Sequence, residues 1–262
     1  MESNSRSAVW PLGVNYSDPL NDQPVFEGEP RTYVIASSPR VGSTLLCDLL
    51  GRTAGLGVPT EYFNPSRMVP LARRFGLLTA DRRVPVGAYL SALFRHRTGP
   101  SGFFGLKLQW RQGVDCWHSP ELQRLLRNSR FIWIRRHDVL GQAVSFAIAR
   151  TTNQWHDRVS AADGRKPAEF SARAVHDALQ YILWENWGWG QFFESNGIRP
   201  LAFTYEELVA DVNGLCQRVC RHVGLDSPPE FELGKAATGR LADERNAAWR
   251  RQFVESCLLL NA

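Results

Sequence analysis

Several features that would direct the reading elsewhere are missing from this chain. No stretch of its 262 residues approaches the ~18 consecutive apolar residues of a membrane span. Residues 1–13 have no apolar core of signal-peptide type. There is no CxxC pair. Cys47, Cys116, Cys216, Cys220 and Cys257 form an odd, scattered set, which reads as reduced thiols in a cytoplasm rather than a disulfide framework or a zinc site. Cys216 and Cys220, four apart on an expected helix, are assigned to the core. No internal repeat, low-complexity tract or interdomain linker is visible. The net charge of +5 is modest and the basic residues are scattered, which favours small anionic ligands over nucleic acid. A standard P-loop, G-x-x-x-x-G-K-[ST], is missing, and so is an acidic pair suited to Mg²⁺.

The composition is that of an ordinary soluble domain, 44% hydrophobic and 22% charged, with length enough for one sizeable core. Residues 1–30, rich in Pro, Asn, Asp and Ser, read as an extended, partly mobile arm, and residues 31–262 as a single domain. Strand-like runs at 33–36, 103–110, 131–134 and 201–205 alternate with helical patterns at 66–82, 85–97, 119–128, 139–150, 171–194, 207–223 and 243–260. That alternation predicts an α/β domain with a central, mostly parallel sheet flanked by helices. Residues 151–168 read as a polar loop. Trp184, Trp187 and Trp189 fall close together; such a cluster packs a core, lines an apolar groove or stacks on a sugar.

The chain is organised around residues 31–50. The apolar run Tyr33, Val34, Ile35, Ala36 predicts a buried parallel strand. Ser37 to Gly42 breaks it. Ser43 and Thr44 are placed to cap a helix whose Leu45, Leu46, Leu49 and Leu50 share a face. A strand, a small-residue loop and a helix start aim several N–H groups at one point, where the helix dipole adds positive charge. The stretch reads either as an anion cradle or as an ordinary strand–turn–helix. Arg40, in place of a P-loop lysine and at another spacing, brings a planar fork with a permanent charge. A second buried strand ends in Arg135 and Arg136 and opens a helix. Ligands collect at such carboxyl strand ends in open α/β sheets. Glu61, between a turn and two aromatics, is not where solvent charge usually sits. Lys107, inside a strand-like run, is either an edge solubiliser or, on a central strand, aimed into a site.

These residues resemble a known family. Ser38-Pro39-Arg40-Val41-Gly42-Ser43-Thr44 resembles the phosphosulfate loop of sulfotransferases that use 3′-phosphoadenosine 5′-phosphosulfate (PAPS), most of all the bacterial Stf0 family, whose type member acts on trehalose. Rhizobial Nod-factor sulfotransferases look more distant. Pro59-Thr60-Glu61-Tyr62-Phe63 is similar to the family's E-P-x-E-F/Y-F, Gly105 to Trp110 to its G-x-K-x-x-W, and Arg136 to Ser145 to its 3′-phosphate motif R-x-D-x-x-x-Q-A-x-S. Thr152 and Trp155 match a T-x-x-W.

The resemblance implies a three-layer, P-loop-like α/β fold and sulfuryl transfer from PAPS to a hydroxyl, with no metal expected. The alternatives are a P-loop-type nucleotide kinase or a non-catalytic nucleotide-binding relative. The resemblance also implies residue roles. Arg40 and the N–H groups of Val41, Gly42, Ser43 and Thr44 hold the 5′-phosphosulfate; Arg136 and Ser145 hold the 3′-phosphate, with Arg245 reaching in from the C-terminal segment. Glu61 is the general base, its pKa raised by an apolar wall of Tyr62 and Phe63, with His118 as runner-up. Lys107 sits by the sulfuryl or leaving oxygen. His137 is structural. Val58 stands where the pattern has a first acidic residue, which argues against trehalose and leaves a small-molecule, carbohydrate or lipid-linked acceptor. A homodimer is expected by resemblance alone.

Overall fold

The computed structural model describes residues 17–51, 56–153, 155, 169–232 and 244–259. Four strands form one sheet: β1 (Arg31–Ser37), β2 (Phe103–Gln109), β3 (Arg130–Arg135) and β4 (Leu201–Thr204). Their order is β2-β1-β3-β4 and every pairing is parallel. A parallel sheet needs apolar cover on both faces, and alternate residues of the strands supply it. Tyr33, Ile35, Phe103, Ile132, Ile134 and Phe203 face α1 (Ser43–Gly51), α8 (Tyr205–Ala210) and α9 (Val212–Val223). Val34, Ala36, Phe104, Leu106, Leu108 and Phe131 face α2 (Pro65–Arg74), α3 (Val86–Arg97), α5 (Pro120–Asn128) and α7 (Ala172–Ser195). The result is three layers, as expected. Fully burying a Leu or Ile side chain is worth about 1.5–3 kcal/mol, so each face is held by many such contributions. A third cluster packs α6 (Val139–Thr152), the first half of α7 and α10 (Glu244–Leu259) through Val144, Ala178, Ile182, Trp249 and Phe253. Cys216 and Cys220 lie in the core, as assigned.

The helix limits follow capping chemistry. Ser119 caps α5 ahead of Pro120, Asp138 caps α6 through the Gly141 N–H, and Ser171 caps α7. Four expectations need correction. The helix expected at 207–223 is two: Asp211 accepts from the Gly214 N–H and starts α9 afresh. Tyr205 opens α8 rather than closing β4, because Thr204 and Glu207 form a capping box. Trp110 opens α4 (Trp110–Val114) rather than ending β2. The helix expected over 66–82 stops at Arg74, and Gly76 follows with φ 69°.

Residues 17–30 lie against the body. Arg74 Nη2 donates to both carboxylate oxygens of Asp22 (2.7 Å to each), and Asp22 also contacts the buried Arg97 at 3.1 Å. Residues 1–16 and most of the 151–168 loop lie outside the described residues.

Candidate active site at the carboxyl ends of the strands

The chain runs from β1 outward to β2, then returns past β1 to β3, so the strand order reverses between β1 and β3. Loops leaving these two strands diverge there and open a crevice. The loop after β1 is sharply shaped. Arg40 and Gly42 both have left-handed backbones, with φ 63° and 78°. The first is a strained conformation for an arginine, of the kind concentrated at functional sites. A methyl on Gly42 would come within 2.4 Å of the Tyr205 ring, so glycine is required for space as well as for conformation. α1 begins at Ser43, and the Gly42 carbonyl accepts from Leu46 N–H. Ser43 and Thr44 therefore occupy the first turn and do not cap it, which corrects the sequence expectation. Among the described residues no backbone acceptor takes the N–H groups of Val41, Gly42, Ser43 or Thr44. These donors and the positive helix end form an anion cradle.

Gln142, fully buried on α6, pins the loop by donating to Ser38 Oγ (2.9 Å) and the Pro39 carbonyl (2.6 Å). The Arg40 guanidinium leaves the loop and donates to Ser145 Oγ at 3.0 Å and to the Trp155 carbonyl at 2.8 Å. Arg136 NH1 approaches the Arg40 carbonyl at 3.4 Å, and its guanidinium lies over the Tyr205 ring. Its Nε is buried without a hydrogen-bond acceptor and is 3.8 Å from Glu206 Oε1. Glu206 itself accepts from the N–H groups of His137 and Asp138. Arg40, Arg136 and Ser145, far apart in sequence, thus converge. Arg245 is on the first turn of α10, and it is Arg250 that reaches the motif, 2.7 Å from Asp138 Oδ2.

The second half of the site is built on β2. Residue 60 bridges to Leu106 in parallel, and the Lys107 N–H donates to the Thr60 carbonyl. This bridge brings Glu61 alongside the strand. Lys107 is on the outermost of the four strands, yet it is buried: its Nζ contacts Glu61 Oε1 at 2.7 Å and Thr44 Oγ1 at 2.9 Å. The solubiliser reading therefore fails. Glu61 Oε2 accepts from Asn64 and Gln112, each at 2.9 Å, and Arg67 stands 3.9 Å from Oε1. Burial pushes the Glu61 carboxyl up, but the Lys107 and Arg67 charges and the hydrogen bonds from Asn64 and Lys107 reverse this. The net effect holds it well below the usual carboxylate range. The raised pKa expected from Tyr62 and Phe63 is not found, because both rings pack into the core instead. Cys47 is no competing nucleophile here, since burial pushes its thiol up to about 12. His118 is exposed, in the turn before α5, and His137 is exposed with its N–H on Glu206.

The tryptophan cluster divides. Trp189 is fully buried in the core, whereas Trp184 and Trp187 reach the surface. A row of aromatic rings, Trp155, Phe146, Tyr181 and Trp184, runs from the Arg40 contact along α6 and α7, with centroids 5.5–6.1 Å apart. Three polar residues gain their roles only in the structure: Gln112, Gln142, which the sequence shows only as a member of the R-x-D-x-x-x-Q-A-x-S match, and Glu185. The two amides carry no periodic signal. Glu185 has one, a carboxylate among aromatics on a long apolar helix.

An all-parallel α/β sheet carries, at its strand ends, a row of open N–H donors at a helix start, two converging arginines and an adjoining lysine–carboxylate pair, a set suited to a strongly anionic small molecule. The chain belongs to the Stf0 sulphotransferase family, whose model matches residues 32–256, and it is accordingly an enzyme of the sulfotransferase class. It is similar to trehalose 2-sulfotransferase of Mycolicibacterium smegmatis, 26% identical over 256 residues that cover 86% of this chain and 94% of that protein. The Mycobacterium tuberculosis protein of the same name is 28% identical, covering 84% and 92%. Among solved structures, the sulfotransferase domain of the Synechococcus PCC 7002 olefin synthase superposes with a TM-score of 0.43 at 16% identity, covering 88% of this chain and 98% of that one. Retinol dehydratase, in complex with androsterone and inactive cofactor PAP, gives 0.38 at 16% identity, covering 88% and 82%. No helix of the described residues is long and apolar enough to cross a membrane.

Proposed function

We propose that the protein moves a sulfuryl group from PAPS to a hydroxyl of a carbohydrate or lipid-linked sugar, releasing 3′-phosphoadenosine 5′-phosphate. The observation that carries this reading is the Lys107 junction. One ammonium touches both Thr44 of the anion cradle and the Glu61 carboxylate, so the donor's reacting end and a proton acceptor share one charged contact. The residues present fit the donor. The open N–H groups of Val41, Gly42, Ser43 and Thr44 suit the 5′-phosphosulfate, with Arg40 beside them. Arg136, whose buried Nε lacks an acceptor, and Ser145 suit the 3′-phosphate, and Arg245 on α10 is the further candidate for it.

When bound, the donor supplies a sulfuryl group on a good leaving phosphate. Such transfers pass in line between two oxygens, so positioning and charge stabilisation dominate. Glu61 takes the proton of the acceptor hydroxyl as its oxygen bonds to sulfur; the bond from sulfur to the phosphate oxygen breaks, and Lys107 and Arg40 receive the charge that develops there. As Lys107 turns to that charge it leaves Glu61, whose burial then makes it a stronger base. Trp155 and Trp184, the exposed rings at the two ends of the aromatic row, offer flat apolar faces for a sugar ring, and the names of the two mycobacterial relatives point the same way. The enzyme works as a single domain over residues 31–262 in a reducing cytoplasm, the setting that its scattered cysteines suggest. Homodimer formation is checked by light scattering.

Incubating the protein with labelled PAPS and a host metabolite extract should label a sugar or glycolipid. Adenosine 3′,5′-bisphosphate should raise Tm; stabilisation by ADP with Mg²⁺ alone would refute the donor assignment. Glu61→Gln should keep bisphosphate binding and lose on the order of 10²–10⁴-fold in kcat; near-parent turnover would remove Glu61 as the base.

A further inference from the structure

Glu185 is a buried carboxylate with no part in the chemistry above. It has no exposed surface. Its two oxygens are divided between successive backbone N–H groups: Oε2 accepts from Trp110 at 2.7 Å and Oε1 from Arg111 at 3.0 Å. The Tyr181 hydroxyl, one turn earlier on α7, stands near enough to act on its charge. The two N–H groups belong to the opening turn of α4, which begins directly after β2, three residues past Lys107. α4 is held to α7 a second time. Gly188, three residues beyond Glu185, leaves the space in which the Trp110 indole lies, since a methyl there would come within 2.2 Å of the ring.

What α4 carries is Gln112, and both ends of its amide are engaged. The oxygen accepts from the Gln109 N–H at 3.2 Å, and the nitrogen donates to Glu61 Oε2 at 2.9 Å. An amide held at both ends cannot turn without breaking one bond, so it fixes the direction of the Glu61 oxygen it contacts. A continuous route therefore runs from Glu185 to the first turn of α4, to Gln112 and to Glu61. Each link is a hydrogen bond or a single turn of helix. Proton transfer is sensitive to misplacement of this size: a displacement of about 1 Å costs on the order of 10²-fold in rate.

We propose that Glu185 is a positioning residue for the reaction: by fixing the first turn of α4 it sets Gln112, whose amide orients the Glu61 carboxylate toward the acceptor. This rests on the reading of Glu61 as the base, but the placement of Gln112 can be tested without any turnover. In the ¹⁵N spectrum of the intact protein the Gln112 side-chain amide, assigned with Gln112→Ala, should be displaced from the free-amide position. Glu61→Ala should return it toward that position. Glu185→Gln keeps one acceptor oxygen but sets an amide NH₂ against a backbone donor. It should move the Gln112 resonance in the same direction, with Tyr181→Phe giving a smaller shift. A Gln112 resonance untouched by both substitutions overturns the proposal, whatever the donor is. Should Glu185→Gln fail to fold, Glu185→Asp, whose shorter side chain draws the carboxylate away from the Trp110 and Arg111 N–H groups, decides it by the same criterion.

Turnover provides the second arm. Glu185→Gln and Gln112→Ala should each lower kcat about tenfold or more with the Kd for adenosine 3′,5′-bisphosphate within twofold of the parent. The double variant should be no worse than the worse single. A double loss equal to the product of the two singles means that they act independently and removes Gln112 as the intermediary. A parent protein that binds no bisphosphate counts against the donor assignment and leaves the amide test standing.

Discussion

The Lys107 ammonium and the Glu61 carboxylate are 2.7 Å apart, with side chains only 6% and 8% exposed. Lys107→Met keeps much of the lysine stem and removes the charge. Glu61 would then be left with two amide donors and an arginine 3.9 Å away. Removing one partner of a buried ion pair costs about 3–5 kcal/mol, because the other charge is stranded. Urea denaturation at pH 7 should show a loss of that order. The pH dependence gives a sharper check. In the parent, the folded pKa of Glu61 lies below its unfolded value near 4.5. Its contribution to stability is therefore present above that pH and lost as pH falls through the folded pKa. Burial is the largest influence on this carboxyl and acts upward. Without the ammonium it is poorly opposed, so the folded pKa rises and the parent's gain in stability from pH 4 to pH 7 should shrink or reverse. Adding Glu61→Gln to Lys107→Met removes the stranded charge and should recover at least half of the loss. The reasoning is refuted if Lys107→Met costs under about 1 kcal/mol and keeps the parent's pH slope, or if the double variant is no more stable than the single.

Gly42→Ala should lower bisphosphate affinity by more than about tenfold and cost about 1–2 kcal/mol of stability, since it forces a left-handed alanine and drives the Tyr205 ring toward Arg136; calorimetric titration and denaturation measure the two. Arg136→Ala should weaken adenosine 3′,5′-bisphosphate by about 10–100-fold, the equivalent of a charge-assisted bond of about 1.5–3 kcal/mol, while adenosine 5′-phosphate changes little. Equal losses for both ligands would take Arg136 off the 3′-phosphate. Burial pushes the Glu185 carboxyl up to about 7 against the Arg111 and Trp110 N–H groups and the nearby Tyr181 hydroxyl. The folded state thus holds this proton more tightly than the unfolded chain does, and the parent loses stability as pH rises from about 4.5 to about 7. Glu185→Gln lacks that loss, so the stability difference should move toward the variant by on the order of 2–3 kcal/mol across the window; a difference that stays flat with pH would mean that Glu185 titrates normally.

Much of the fold is legible in the amino-acid sequence, because β1, β2 and most of β3 are buried on both faces and most helices carry their own start signals. The break at Asp211 is hidden for a physical reason. α8 and α9 bury Leu208, Val212 and Leu215 in one cluster, so the apolar period continues across the break, and only the cap formed with Gly214 marks it. The charged residues that meet at the strand ends, Arg40, Glu61, Lys107 and Arg136, and the hydroxyl of Ser145 are all visible in the sequence motifs. Their settings are not. Tyr62 and Phe63 flank Glu61 in sequence but turn into the core, while the group that governs its charge, Lys107, comes from another strand. Gln112, Gln142 and Glu185 act through hydrogen bonds to groups distant in sequence, and neither the motif position of Gln142 nor the apolar setting of Glu185 tells which partner each one meets.

The register of β1 and β2 explains how so much chemistry depends on one short run. β1 pairs with β2 so that Ile35 stands opposite Lys107. Paired residues share a face, so Lys107 points to the side on which Ile35 meets α1, and there it finds Thr44. Leu106 and Leu108 point the other way, into the opposite apolar cluster. Gly105, on the Lys107 face, leaves room for the Tyr33 ring and for Pro59, whose segment brings Glu61 in. A slip of one residue would exchange the faces, burying an ammonium among leucines and setting a leucine against a buried carboxylate. Either outcome costs several kcal/mol. The alternation Gly105, Leu106, Lys107, Leu108 therefore fixes both the pairing of β2 and the contact between the anion cradle and Glu61. A substitution that loosens the register should for that reason cost activity and stability together.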